Sequence, residues 1–299
     1  MVILSHVVKH NSLVSQEEWV SYISSLENSF DDLETNKERA KRIFKEKFIH
    51  AVKQRATGKF AVLLSGGVDS TLIALVLKQL GYQFPCYTLG LKDSKDALVA
   101  EEVAKEYGLL LKKVTISYEN LESVFVNVLH LLKEPDVVKI EVGSVLWVLL
   151  EEVIKDGYHE VFGGLGSEEI FCGYQRHDEA LAKGFEDLHA ECWRGLKGMW
   201  DRDLVRDFTV AHHFNVTLLA PFLDTEVILA AMKIHPMFKI DTLQKKIVLR
   251  EIAEEIGLRK DFARRKKIAA QYGSNVDIAL ERIAKKKGMK KKEFLEHSL

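Results

Sequence analysis

The sequence predicts an α/β domain, a parallel sheet with helices on both faces, followed by an α-helical C-terminal subdomain. Three observations predict it. Short apolar runs alternate with amphipathic helical patterns between residues 58 and 167, as strands joined by crossover helices do. A glycine turn, Ser65-Gly66-Gly67, lies directly between one such run and one such helix. From about residue 168 onward the pattern turns helical, with few β-branched runs and no repeat period. The implied organisation is an N-terminal helical extension over 1–57, the α/β domain over 58–180 and a helical part over 181–299.

Residues 16–57 are polar, with Ile43, Phe44, Phe48, Ile49 and Val52 at helical spacing, which predicts one or two amphipathic helices ended by Gly58. The run 60–64 is short and apolar, like a buried parallel strand, and a helical pattern follows the glycine turn to Leu80. Gly81 closes that helix, 84–89 reads as a second strand, and Asp96 can cap a helix whose Ala100, Val103, Ala104 and Tyr107 share a face. Gly108 ends it in turn. A strand over 109–116, helices over 119–133 and 144–156, and a short strand over 160–162 running into Gly163-Gly164 complete the alternation.

With 47% hydrophobic and 29% charged residues among 299, the chain can bury a substantial core. A formal net charge of -1 removes whole-molecule attraction to nucleic acid or anionic membrane. The longest apolar stretches, such as 142–150, fall well short of the roughly 20 residues a spanning helix needs. No secretory signal is visible at the N-terminus, which sets a cytoplasmic expectation. Three cysteines, with no Cys-x-x-Cys pair, give neither a disulfide framework nor a zinc site. Trp193, Met199 and Trp200 read as helix packing or an interface, and the lysine runs 285–287 and 290–292 as a solvated terminal helix.

The chemistry centres on Ser65-Gly66-Gly67-Val68-Asp69-Ser70. Glycines let the backbone turn sharply and approach a ligand closely, and the N–H groups of the following helix N-terminus attract an anion. A phosphate or pyrophosphate fits that position. No lysine follows the glycines, so the γ-phosphoryl-transfer loop is absent. Asp69 instead puts a carboxylate beside the phosphates, which calls for a divalent cation, Mg2+, on oxygen ligands.

At these residues the sequence resembles the PP-loop ATP pyrophosphatases of the adenine nucleotide alpha hydrolase-like fold, which grip the pyrophosphate of ATP and transfer AMP to a substrate oxygen. Later segments resemble those of asparagine synthetases: Gly163-Gly164-Leu165-Gly166-Ser167-Glu168-Glu169-Ile170-Phe171-Cys172-Gly173-Tyr174, then Pro221-Phe222-Leu223-Asp224, Lys246-Ile247-Val248-Leu249-Arg250 and Arg265-Lys266-Lys267. Gly173-Tyr174-Gln175-Arg176-His177 and Ala269-Ala270-Gln271-Tyr272-Gly273-Ser274 look closer still to the eukaryotic asparagine synthetase domain-containing proteins and their archaeal stand-alone relatives.

The resemblance implies an ATP-dependent ligase in which a carboxylate attacks the α-phosphorus, pyrophosphate leaves, and an amine or ammonia then displaces AMP. Ser65, Gly66, Gly67, Asp69, Ser70, Gly163 and Gly164 would bind ATP, with Leu63 and Leu89 at the adenine, although apolar residues at strand ends also read as plain core. Asp69 and Glu168 would hold Mg2+, and Lys246 and Lys266 would be the catalytic cations. Lys266 takes that role only from the resemblance, since it lies in a charge run that otherwise reads as a solvated face.

Three departures bear on the substrate. Leu165 stands where the family pattern has a glutamate thought to handle the proton of ammonia, and leucine accepts none. Glu141 and Leu219 stand where two arginines would meet an aspartate substrate. Residue 2 is Val2 rather than a cysteine nucleophile, and residues 1–57 leave no room for an amidotransferase domain, so nitrogen would come as ammonia, as an amine or from a separate subunit. A homodimer fits equally well. Two other readings stand beside this one: a tRNA-modifying enzyme of the same superfamily, and a nucleotide-binding protein that has lost asparagine synthesis.

Overall fold

The computed structural model describes residues 6–9, 12–30, 32–266 and 268–299; Val2 and Lys267, named above, lie outside them. A two-stranded hairpin, β1 (Val8–Lys9) and β2 (Ser12–Leu13), leads into α1 (Gln16–Asn28) and α2 (Lys37–Arg55). The α/β alternation follows: β3 (Ala61–Leu63), α3 (Val68–Gln79), β4 (Pro85–Leu89), α4 (Lys95–Tyr107), β5 (Leu110–Val114), α5 (Tyr118–Leu132), α6 (Val137–Lys155) and β6 (Glu160–Phe162). Next come α7 (Ser167–Ile170), α8 (Gln175–Leu181), α9 (Phe185–Met199), a π-helical turn (Trp200–Leu204) and α10 (Val205–His213). The chain ends with β7 (Thr217–Leu219), α11 (Thr225–Lys233), α12 (Ile247–Glu255), α13 (Lys260–Ala263), α14 (Ala270–Gly273), α15 (Val276–Lys286) and α16 (Lys291–Ser298).

Five strands form one parallel sheet in the order β5-β4-β3-β6-β7. Alternation along the strands divides the apolar interior in two. Val62, Leu64, Cys86 and Phe162 point to a core shared with α2, α3 and α12, whereas Ala61, Tyr87, Leu89 and Val161 point to one shared with α5, α6 and α15. The expected helices on both faces are thus present. Strand order reverses between β3 and β6, and in open parallel sheets a ligand crevice opens at the carboxyl ends of such strands.

The helical C-terminal stretch also contributes β7 to the sheet edge, where Leu218 aligns with Val161. Two further expectations shift. Helix α6 begins at Val137 rather than 144, capped by Asp136, because Gly143 is an approach point and not a boundary: a Cβ there would lie 2.9 Å from Val128 Cγ1. Helix α4 is capped by Ser94, whose hydroxyl accepts from the Ala97 N–H at 3.2 Å, and not by Asp96, which is drawn away by an ion pair with Arg265 at 2.9 Å. Among the described residues no helix is long and apolar enough to cross a membrane.

The N-terminal helices share the first core. Helix α1 starts in a reciprocal cap between Ser15 and Glu18 and buries Trp19, whose indole N–H donates to the Leu196 carbonyl at 2.8 Å. Trp193 and Met199 are buried, and Trp200 donates to the Val14 carbonyl at 2.8 Å, so these residues serve packing. Trp19→Ala is expected to destabilise the protein by about 3–5 kcal/mol, read as a fall in the urea midpoint; an unchanged midpoint would mean that α1 is not integral to this core.

Candidate active site

The glycine turn ends β3 and begins α3 without a side-chain cap, so the first N–H groups of a twelve-residue helix stay open to a ligand. The turn is braced internally. The Ser70 hydroxyl accepts from the Ser65 N–H at 3.2 Å, and the Ser65 hydroxyl accepts from the Gly67 N–H at 3.3 Å. Gly66 has φ +71°, and a Cβ there would lie 2.8 Å from Val99 Cγ1 and 2.9 Å from the Ala100 nitrogen. That residue faces α4 and does not line the cavity, because its conformation serves the turn.

A cavity of about 780 Å³ opens above the turn. Ser65, Gly67, Asp69 and Ser70 line it, as do Leu63 and Leu89 from the strand ends. Gly163 and Gly164 join them from the β6–α7 loop, Glu168 from the first turn of α7, and Lys246 and Lys266 from the C-terminal part. Gly164 lets the two loops meet, since a Cβ there would come 2.9 Å from that of Asp69.

Lys246 draws these segments together. Its Nζ lies 2.7 Å from Asp69 Oδ2 and 3.0 Å from Ser167 Oγ, and it also bonds Glu168 Oε1. The residue is 1% exposed and held at φ 58°, a costly conformation for a side chain other than glycine. Burial alone would lower its pKa, but the two carboxylates more than offset this and hold the ammonium above its ordinary value. Gly173 makes room for the group, because a Cβ there would fall 1.5 Å from Glu168 Oε2 and 2.8 Å from Lys246 Cε.

The other sequence segments prove to be supports. In Pro221-Phe222-Leu223-Asp224, Leu223 packs on Gly166, where a Cβ would come within 2.4 Å of it, and Asp224 caps α11 and pairs with Arg55 at 2.9 Å. Arg250 donates from Nε to the Lys245 carbonyl at 2.7 Å and from Nη1 to the Arg265 carbonyl at 2.9 Å, joining the two lysine-bearing segments. Lys266 itself is exposed on the cavity wall.

As for metal, no group of three or more His, Cys, Asp or Glu side chains among the described residues is arranged to hold an ion. The pair Asp69 and Glu168 nevertheless fits a Mg2+ that shares its shell with phosphate oxygens, since its donors are hard oxygens and buried Asp69 Oδ1 has no hydrogen-bond partner.

Away from the turn, the cavity wall carries charges that the sequence reading missed. Arg202 pairs with Glu169 at 2.5 Å and Asp203 at 2.8 Å, and Arg206 with Asp207 at 2.6 Å and Asp203 at 3.3 Å. Lys139 is shared by Glu134 and Asp201 at 2.8 and 3.2 Å. Burial, with Asp203 nearby, pushes the Glu169 carboxyl up to about 7 against the pull of Arg202. The Arg-Asp pairs spaced one helical turn apart at 202–203 and 206–207 were the available signal. Leu165 and Leu219 line the cavity as apolar wall, whereas Glu141 lies outside it, 1% exposed and paired with Lys291 at 2.7 Å. Lys285, Lys287 and Lys292 of the tail also meet carboxylates, at 2.6, 2.7 and 3.7 Å.

A family model described as asparagine synthase matches residues 44–188 and 180–296. The chain is 32% identical to a protein of Methanocaldococcus jannaschii, provisionally named glutamine-hydrolysing asparagine synthetase 1, over 89% of this chain and 57% of that protein. It is 30% identical to the nodule asparagine synthetase of Pisum sativum and to asparagine synthetase 1 of Lotus japonicus, in each case over 60% of this chain and 32% of the relative. It thus spans just over half of the archaeal relative and about a third of the plant ones. An NMN synthetase structure from Francisella tularensis aligns over 85% of this chain and 96% of that one at 13% identity and a TM-score of 0.34, too distant to bear on function.

Removing the central ammonium should strand two carboxylates. Lys246→Met is expected to cost about 3–5 kcal/mol of stability, and adding Asp69→Asn to recover part of it. A double variant no more stable than the single one in urea unfolding would show that Lys246 does not act by charge compensation.

Proposed function

Because the chain belongs to the asparagine synthase family, we propose that it is an ATP-dependent carbon–nitrogen ligase that adenylates a carboxylate, releases pyrophosphate and forms an amide when an amine or ammonia displaces AMP. The observation that carries this reading is the meeting of Asp69 and Glu168, from the first turns of the helices that follow adjacent strands, at the open N-terminus of α3. The first N–H groups of α3 and the Ser65 and Ser70 hydroxyls bind the phosphates. Magnesium, when bound, neutralises charge on the pyrophosphate. Lys246 holds the two carboxylates in register. Lys266, exposed on the wall, neutralises the charge that builds on the α-phosphate.

The acceptor end carries both signs of charge. Arg202 and Arg206 offer guanidinium forks to a carboxylate, and the surrounding excess of acidic groups favours an ammonium. An amino acid, with both groups, is the acceptor class this wall suits. Nitrogen then arrives as ammonia, as an amine or from an amidotransferase, and the setting is the cytoplasm.

The test is turnover with ATP labelled at the α or γ phosphorus against panels of amino acids and amines. AMP and pyrophosphate are the expected products; ADP as the sole product would refute adenylation. Glu168→Gln is expected to lower the rate by about 10^2-fold or more, the scale of one lost electrostatic contact to a transition state.

Leu165 sets a second expectation. A positioned base contributes about 10^2–10^4 in rate, and Leu165 provides none, so asparagine formation from aspartate and ammonia should be slow and Leu165→Glu should raise it. Rapid asparagine synthesis by the unaltered protein would show that another group takes the proton.

A further inference from the structure

Two thiols take no part in the reading above. Cys172, two residues after α7, and Cys192 on α9 are both buried, and their Sγ atoms lie 3.5 Å apart. Twenty residues separate them in the chain, so no local spacing marks the pair in the sequence.

Two polar side chains near the pair have donors and no acceptor. Lys239, which follows the turn Pro236–Phe238, is 0% exposed, and its Nζ has no hydrogen-bond partner. An ammonium at that depth without a counter-ion is strongly disfavoured. The His177 ring is equally buried, and its Nδ1 accepts from the Tyr174 N–H at 3.1 Å, so the neutral ring carries its proton on Nε2, which also lacks a partner. Anionic sulfur is the partner these donors lack. The Cys172 thiol, His177 and Lys239 hold the Cys192 thiol well below its ordinary value against the effect of burial, whereas burial pushes the Cys172 thiol well above it. One sulfur is thus a nucleophile, and its neighbour keeps a proton.

Cys172 is also tied to the segment that carries Glu168. It has φ 59°, a costly conformation for a residue with a side chain. The next residue, Gly173, donates its N–H to the Glu168 carbonyl at 2.8 Å and leaves no room for a Cβ beside Glu168 Oε2. Movement of Cys172 therefore reaches Glu168.

We propose that Cys172 and Cys192 form a reversible oxidation site, closed to a disulfide by a peroxide and reopened by a thiol reductant. The Cys192 sulfur attacks one peroxide oxygen, the O–O bond breaks, and the other oxygen takes up a proton and leaves as water, giving a sulfenic acid. The Cys172 sulfur then attacks that of Cys192: the S–S bond forms, the S–O bond breaks, and the hydroxyl leaves as water with the Cys172 proton. Two electrons pass from the thiols to the peroxide. The contact shortens to a bond of about 2.05 Å, which draws Cys172 toward α9. Because both thiols are buried, a small uncharged oxidant is the class that reaches them, through local opening.

The test treats the full chain with hydrogen peroxide and maps its disulfides by mass spectrometry without reduction. The unaltered protein should lose two hydrogen atoms, yield linked peptides holding Cys172 and Cys192, and revert with dithiothreitol. Cys86, whose thiol burial alone pushes up to about 12, is the internal control and should stay reduced. Cys172→Ser should stop at a sulfenic acid on Cys192 that dimedone captures, and Cys192→Ser should leave Cys172 unmodified. Lys239→Met should slow closure about tenfold by lowering the thiolate fraction. Amide exchange over 167–174 should rise in the closed form and fall back on reduction. No linked peptide in excess peroxide, oxidation of Cys172 in the Cys192→Ser variant, or an unchanged rate in Lys239→Met would each overturn the inference. A disulfide formed without any change in exchange would overturn its tie to Glu168. Mapping on the unaltered protein decides even where a variant fails to fold.

Discussion

One ammonium, Lys246 Nζ, lies between two carboxylates delivered by different helices, and the surrounding architecture is arranged to keep it there. Asp69 comes from the start of α3, Glu168 from α7, and Lys246 from the residue before α12. At this depth charges attract strongly but are costly to desolvate, so the arrangement is worth having only if all three groups are held in place. Gly164 and Gly173 clear the space for them. Arg250 fixes the backbone at Lys245, and Leu223 anchors the loop at Gly166.

The cavity wall is consequently varied in character. The open N-terminus of α3 and a carboxylate pair line it at the turn. Leu165 and Leu219 make another part apolar, and Arg202 and Arg206 make a third part charged. In that charged part Asp203 serves both arginines and Arg202 serves two carboxylates. An incoming ligand group therefore competes with existing partners, which trades affinity for selectivity.

The strand over 160–162 and the glycine turn were legible because their signals are local: apolar runs, glycines at fixed offsets and helical periodicity. The segments around Glu168, Lys246 and Lys266 were found as motifs, but not the physical relation between Lys246 and the two carboxylates, which joins residues far apart in the chain. Three-residue β7 has too little length to show a period. The start of α6 was missed because Gly143 reads locally as a breaker, although its purpose is contact with Val128. Arg202 and Arg206 carry no motif that would single them out in the sequence. Only the packing of that helix against the cavity distinguishes them.

The π-helical turn Trp200–Leu204 interrupts the otherwise α-helical path from α9 to α10. Such a turn arises when one extra residue is accommodated in an α-helix. Each residue of an α-helix advances the face by about 100°, and the wide turn absorbs that advance, so Arg206 and Asp207 keep facing the cavity although the path from α9 carries one residue more than regular winding needs. Chain length at this turn is thereby decoupled from the orientation of the charged wall, and a change of one residue there leaves both that wall and Lys246 with its carboxylates in place.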